Sequence, residues 1–173
     1  SLFNAAEAES SCLVPQTRTD QQLLRALVRK GQVVSPVKGI YARKPYWIAL
    51  DEEGRAHHIL RGLACKHPSW VFCSYSAAFL HGLDVPRYCL RPVRVVVTRR
   101  AKAASGKVRS RYRNMRDEIA RVDGIRVTEI WQTVLEVLLE ATFPVGLAVA
   151  DSALRKLSAS SEQLIEYVRA QGR

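Results

Sequence analysis

Long apolar runs are missing from this chain. Stretches such as Trp70–Val71–Phe72–Cys73 fall far short of the roughly 20 residues that a membrane-crossing helix needs. No charged, apolar, then small-residue leader opens the sequence, so no secretory signal is expected. Cysteine is scarce: Cys12, Cys65, Cys73 and Cys89 are the four among 173 residues, and no Cys-x-x-Cys pair occurs. A set of Cys65, His67 and Cys73 fits the spacing of no common zinc module. Cys65 and Cys73 stand in apolar stretches, where a thiol behaves as a small hydrophobe. A reducing cytoplasm is therefore expected, with neither metal nor other cofactor. His57 and His58 are adjacent and cannot share a helix face, which weakens a metal reading of that pair.

The most informative absence is of negative charge. Between Val85 and Arg116 there is no Asp or Glu, while Arg87, Arg91, Arg94, Arg99, Arg100 and Lys102 occur in its first part. Lys107, Arg109, Arg111, Arg113 and Arg116 complete the stretch. The whole chain carries 27 Lys and Arg against 16 Asp and Glu, a net charge of +11, so these eleven cations leave the remainder close to neutral. A solvated face normally mixes signs to limit self-repulsion. A concentrated basic field implies a polyanionic partner, and nucleic acid is the commonest.

What is present reads as an α+β protein in two parts, residues 1–45 and 46–173. Asn4 is placed to cap a short helix over 5–8. Thr19-Asp20-Gln21-Gln22 has the form of a capping box, with Thr19 as N-cap and Gln22 as its partner. The helix should run to about Lys30 and stop at Gly31. Leu23, Leu24, Ala26, Leu27 and Val28 cover one side, and Gln21, Gln22, Arg25 and Arg29 gather on the other. Val33-Val34 and Ile40-Tyr41-Ala42 then form two short strands around the turn Ser35-Pro36-Val37-Lys38-Gly39. Helix, turn, helix and tight hairpin is the chain order of a winged helix-turn-helix. In that reading Gln21, Gln22, Arg25 and Arg29 face a major groove, where Gln pairs with adenine edges and Arg with guanine edges or phosphates. Lys38, Arg43 and Lys44 supply phosphate contacts, which position without reading sequence.

The second part begins with a helix capped by Asp51, carrying Ala56, Ile59, Leu60, Leu63 and Ala64 on one stripe. Trp70 to Cys73 suits a buried strand. Ser74 is expected to cap a short helix that ends at His81 and Gly82. Val93 to Thr98 is a β-branched strand. Period two then sets Lys107, Arg109, Arg111 and Arg113 on one strand face, with Tyr112 on the other and in the core. Arg99 and Arg100 lie across the preceding turn and extend the basic surface. Asp123-Gly124 joins two strands as a hairpin. Three helices follow, with Thr128 as a candidate cap for the first. Pro144 stands near the start of the second, and Ser160 with Gln163 forms a capping box for the third; the first two should be buried.

Ser74 and Ser76 beside His81 invite a catalytic reading, but the nucleophile-elbow pattern is absent. His81 is better read as a helix-end hydrogen-bonding residue. Asp117, Glu118 and Asp123 lack the lysine spacing of a metal-dependent nuclease and read as turn or cap residues.

The run Leu24-x-x-Leu27-Val28-x-x-Gly31-x-Val33, ending in Lys38-Gly39-Ile40-Tyr41-Ala42, resembles the N-terminal winged helix of AbiEi-type antitoxins of type IV toxin–antitoxin, or abortive-infection, systems. Ser74-Tyr75-Ser76-Ala77-Ala78-Phe79-Leu80-His81-Gly82-Leu83 resembles the signature of that family's second domain, with Tyr75 where the family usually has His. Val127-Thr128 and Ala150-Asp151-Ser152-Ala153-Leu154-Arg155 are similar to its later segments. The resemblance implies a non-enzymatic repressor that binds double-stranded operator DNA. It also implies a nucleotidyltransferase toxin counteracted without a stable complex. Many actinobacterial relatives continue into a nuclease-like domain of the very-short-patch-repair type. The alternative expectation is therefore the nucleic-acid-binding region of a larger endonuclease, and a third is a module that neutralises a toxin by contact.

Overall fold

The structure is a computed structural model that describes residues 2–97, 106–112 and 119–171. The chain is mixed α+β and divides into two compact units, Ser1–Ser69 and Trp70–Arg173.

The first unit contains α1 (Leu2–Ala8), α2 (Arg18–Arg29), β1 (Val33–Val34), β2 (Ala42–Arg43), α3 (Lys44–Ala49) and α4 (Glu52–Lys66). α1 begins before Asn4, so Asn4 lies inside the helix and is not its cap. β1 and β2 form the expected antiparallel hairpin, with Val33 opposite Arg43 and Val34 opposite Ala42. Leu13, between α1 and α2, adds a one-residue bridge to Tyr41: each backbone N–H donates to the other's carbonyl, at 2.7 and 2.9 Å. Phe3, Leu24, Val33 and Tyr41 form the core beneath this hairpin, with Leu13, Leu27 and Val28 packed around them. Leu24 is 1% exposed, whereas Leu23 faces solvent. Truncating Leu24 to Ala should cost about 2–5 kcal/mol, the usual range for a buried leucine.

α4 belongs to this compact unit, which runs to Ser69. Asp51 caps α4 as expected, its Oδ1 accepting from the Gly54 N–H at 2.7 Å. Gly62 lies so close to Cys12 that an added Cβ would stand 2.8 Å from the Cys12 Cβ. The Cys12 N–H donates to the His58 carbonyl at 3.1 Å. His58 is itself buried and satisfied: Nδ1 lies 2.7 Å from the Gly54 carbonyl and Nε2 lies 2.9 Å from the Tyr46 hydroxyl. A carbonyl can only accept, so Nδ1 donates, and in the neutral ring Nε2 accepts from Tyr46.

The second unit contains β3 (Val71–Phe72), α5 (Ser74–Leu80), a 3₁₀ turn (Arg87–Cys89), β4 (Val93–Val97) and β5 (Val108–Tyr112). It continues with β6 (Ile119–Val122), β7 (Ile125–Thr128), α6 (Ile130–Glu140), α7 (Phe143–Leu157) and α8 (Ser161–Ala170). The five strands lie in the order β5-β4-β3-β7-β6; β4–β5 and β3–β7 are parallel, and the other two pairs antiparallel. The β6–β7 hairpin turns on Asp123 and Gly124, both at positive φ (47° and 79°), as a two-residue turn of this kind requires. Val134 and Val137 of α6 pack with Val145, Val149 and Ala153 of α7 against Tyr75 and Ala78 of α5. α6 and α7 each bury one face, as expected, but Leu138 and Leu139 of α6 and Phe143, Leu147 and Leu157 of α7 are exposed, so neither helix is buried all round. Pro144 falls in the first turn of α7, and Ser160 with Gln163 forms the expected capping box at α8.

Candidate nucleic-acid interface

α2 starts two residues earlier than the sequence pattern predicts. Thr17, not Thr19, is the N-cap: its Oγ1 accepts from the Asp20 N–H at 3.0 Å, and Asp20 Oδ2 accepts from the Thr17 N–H at 3.1 Å. Two overlapping cap patterns compete here, and the one ending in a carboxylate gains from the positive helix end. Thr19 is exposed in the first turn, and the Gln22 side chain is not needed for capping. The C-terminus agrees with expectation: Lys30 is the C-cap and Gly31 follows at φ 72°.

Gln21, Arg25 and Arg29, spaced four apart on α2, line one side of a groove of about 380 Å³. Ser35, Lys38 and Gly39 of the hairpin turn line it as well, together with Lys66 from the end of α4. No carboxylate is among its lining residues. The turn is held internally, because Ser35 Oγ lies 3.0 Å from the carbonyl oxygens of both Val37 and Ile40. Lys66 Nζ donates to the Lys38 carbonyl at 2.5 Å. Burial, and then the charge of Lys38, lower the Lys66 pKa.

Of the expected wing contacts, Lys38 and Lys44 are exposed. Arg43 is engaged elsewhere: Nε donates to Glu7 Oε1 at 2.7 Å, and a second nitrogen pairs with Oε2. Lys66 was not among the residues expected from sequence. Twenty-eight positions separate it from Lys38, and no local pattern records that contact.

In the second unit, β5 is an edge strand. Lys107, Arg109 and Arg111 are exposed and Val108 between them is buried, the alternation expected for a two-sided strand. Arg99, Arg100 and Arg113 lie outside the described residues, as does the Tyr112 side chain. Register puts Arg94 opposite Arg109 and Val96 opposite Arg111, so the two β5 arginines share a sheet face with Arg94. Arg94 is committed to structure. Its guanidinium sits 4.5 Å from the Tyr75 ring centre, Nη1 donates to the Pro92 carbonyl at 2.9 Å, and Nε lies 2.9 Å from Glu140 Oε1. Arg111 reaches the other Glu140 oxygen at 3.3 Å.

Ser74 is the first residue of α5 at φ 48°, with Cys73 as N-cap, so the expected Ser74 cap is not formed. Its N–H donates to Glu136 Oε2 at 2.8 Å and its hydroxyl donates to Glu140 Oε1. Glu136 also accepts from Gln132 Nε2 at 3.1 Å. His81 acts as the helix-end residue expected, its Nε2 donating to the Thr128 carbonyl at 2.8 Å. Thr128 is likewise not a cap: Glu129 is the N-cap of α6, and the Thr128 hydroxyl is 2.7 Å from that of Thr133. Cys65 is exposed, contrary to its apolar sequence neighbourhood, whereas Cys12, Cys73 and Cys89 are buried. Among the described residues no group of three or more His, Cys, Asp or Glu is placed to hold a metal ion. Asp117 and Glu118 lie outside them.

No known family model, curated protein or solved structure matches the chain.

Proposed function

We propose that this protein is a DNA-binding transcriptional repressor that uses α2 and the β1–β2 hairpin as a winged helix. The observation that carries this reading is the line Gln21–Arg25–Arg29 on α2, set beside Lys38 of the hairpin turn around a groove with no acidic lining residue. In the proposed complex α2 enters the major groove, Gln21 reads an adenine edge and Arg25 a guanine edge. Lys38 touches phosphate and holds the register. The edge-strand cations Lys107 and Arg109 add sequence-independent attraction.

The biological role we propose is that of an antitoxin in a type IV system, repressing the operon of a nucleotidyltransferase toxin without forming a stable complex with it. This part rests on the resemblance of residues 24–42 and 74–83 to AbiEi-type antitoxins. The DNA reading is tested by selecting a preferred duplex from random DNA with the whole chain. Arg25→Ala should weaken binding to that duplex by about 1–3 kcal/mol and relax preference at one base pair. Lys38→Ala should weaken all sequences alike. Equal binding by wild type and Arg25→Ala would overturn the assignment of α2 as the reading helix.

A further inference from the structure

The groove beside α2 concentrates positive charge with nothing to offset it. Arg25 and Arg29 come from α2, Lys38 from the hairpin turn and Lys66 from α4. Within the described residues none of these four makes an ion pair. Like charges gathered there repel one another, and an anion would relieve that repulsion; Arg25, Arg29 and Lys38 are exposed and so accessible to one. The Lys66 stem lies over Gly39, where an added Cβ would collide with it, which sets the ammonium beside the hairpin turn at the groove. It spends one of its three donors on the Lys38 carbonyl, and the others are available to a ligand. Arg29, Lys38 and Lys66 suit a phosphate, singly charged in a DNA backbone and more highly charged when free, and leave Arg25 to the base edge proposed for it. A volume of about 380 Å³ accommodates a phosphate with its attached sugar, the lower range of small-ligand sites. Tyr41 supplies a less polar wall.

We infer that this groove is a phosphate site, completed by Lys66 of α4. The phosphate comes either from the backbone of the DNA partner proposed above or from a free phosphorylated small molecule. Only the first source rests on the DNA reading. The second would occupy Arg29 and Lys38 in place of the DNA backbone and so release DNA.

The experiment uses the intact chain, Lys66→Met, which keeps an unbranched stem over Gly39 without the charge, and Lys66→Arg. Inorganic pyrophosphate is titrated by calorimetry, and the selected duplex by fluorescence anisotropy at several salt concentrations. For the free source, wild type binds pyrophosphate, Lys66→Met weakens it at least about tenfold, Lys66→Arg retains it, and pyrophosphate displaces the duplex. For the backbone source, pyrophosphate does not bind, and Lys66→Met lowers the slope of log affinity against log salt by about 0.9. Arg29→Gln, which leaves the Lys66–Gly39 packing intact, should reproduce the loss and serves as the test if Lys66→Met fails to fold. Wild-type affinities and slopes in both charge-removing variants would overturn the phosphate site while leaving the DNA reading in place. Lys66-dependent pyrophosphate binding by a chain that binds no duplex would do the reverse.

Discussion

Glu7 of α1 and Arg43 at the end of β2 form a two-point ion pair, with Glu7 12% and Arg43 43% exposed. This pair ties the first helix to the hairpin, so the arginine expected at phosphate is spent on holding the unit together. Arg43→Gln should lower stability, by less than the loss of a buried pair would because solvent screens the exposed arginine. Urea unfolding checks the first effect. The salt slope of DNA binding should not change; a drop of about 0.9 would restore Arg43 as a phosphate contact.

The cap of α2 gives a second prediction. Thr17→Ala removes the acceptor for the Asp20 N–H and should cost about 0.5–2 kcal/mol, whereas Thr19→Ala should be nearly neutral. Amide exchange at Asp20 should quicken in the first variant alone. Quickening in Thr19→Ala would return the cap to Thr19.

These two corrections show which features the sequence carries. Asp123-Gly124, Asp51 and Ser160 with Gln163 act on neighbours within a few residues, and each does what its pattern predicts. Thr17 and Thr19 begin overlapping patterns, and only the geometry of a carboxylate at Asp20 decides between them. The Gln21–Arg25–Arg29 line was legible because helical period alone sets it. Lys66 was not, because its partner is brought in by the packing of α4. The two bonds of Ser74 reach 62 and 66 positions along the chain, to carboxylates whose apolar neighbours mark α6 simply as a buried helix.

The cysteines yield a prediction in pH. Burial pushes the Cys12 thiol up to about 12 from 9.0, and burial followed by the charge of Glu136 also raises Cys73. The folded state thus holds protons that the unfolded chain releases above about pH 9. The stability from Cys12 is complete below that point and is lost as pH rises toward 12, at about 1.4 kcal/mol per unit. Urea midpoints should therefore fall between pH 9 and 11, and Cys12→Ala should fall less steeply. Parallel falls would remove Cys12 as the cause. At pH 8 a disulfide-exchange reagent should find one fast thiol, Cys65, and Cys65→Ser should abolish that phase.

The basic edge strand carries the last prediction, because its cations differ in what they already touch. Arg109 makes no ion pair within the described residues, whereas Arg111 shares Glu140 with Arg94. A cation already neutralised by a carboxylate releases little counterion when a phosphate replaces that partner. Arg109→Gln should therefore flatten the salt slope by about 0.9 on duplex DNA. Arg111→Gln should change it by well under 1 unit and should instead disturb the Glu140 contacts, lowering stability by about 0.5–1 kcal/mol at an exposed site. Base preference should survive in every variant, since α2 is proposed to carry it. An unchanged slope in Arg109→Gln would remove β5 from the nucleic-acid surface. An acidic protein partner would then be the better account of its charge, and the toxin-contact reading would gain.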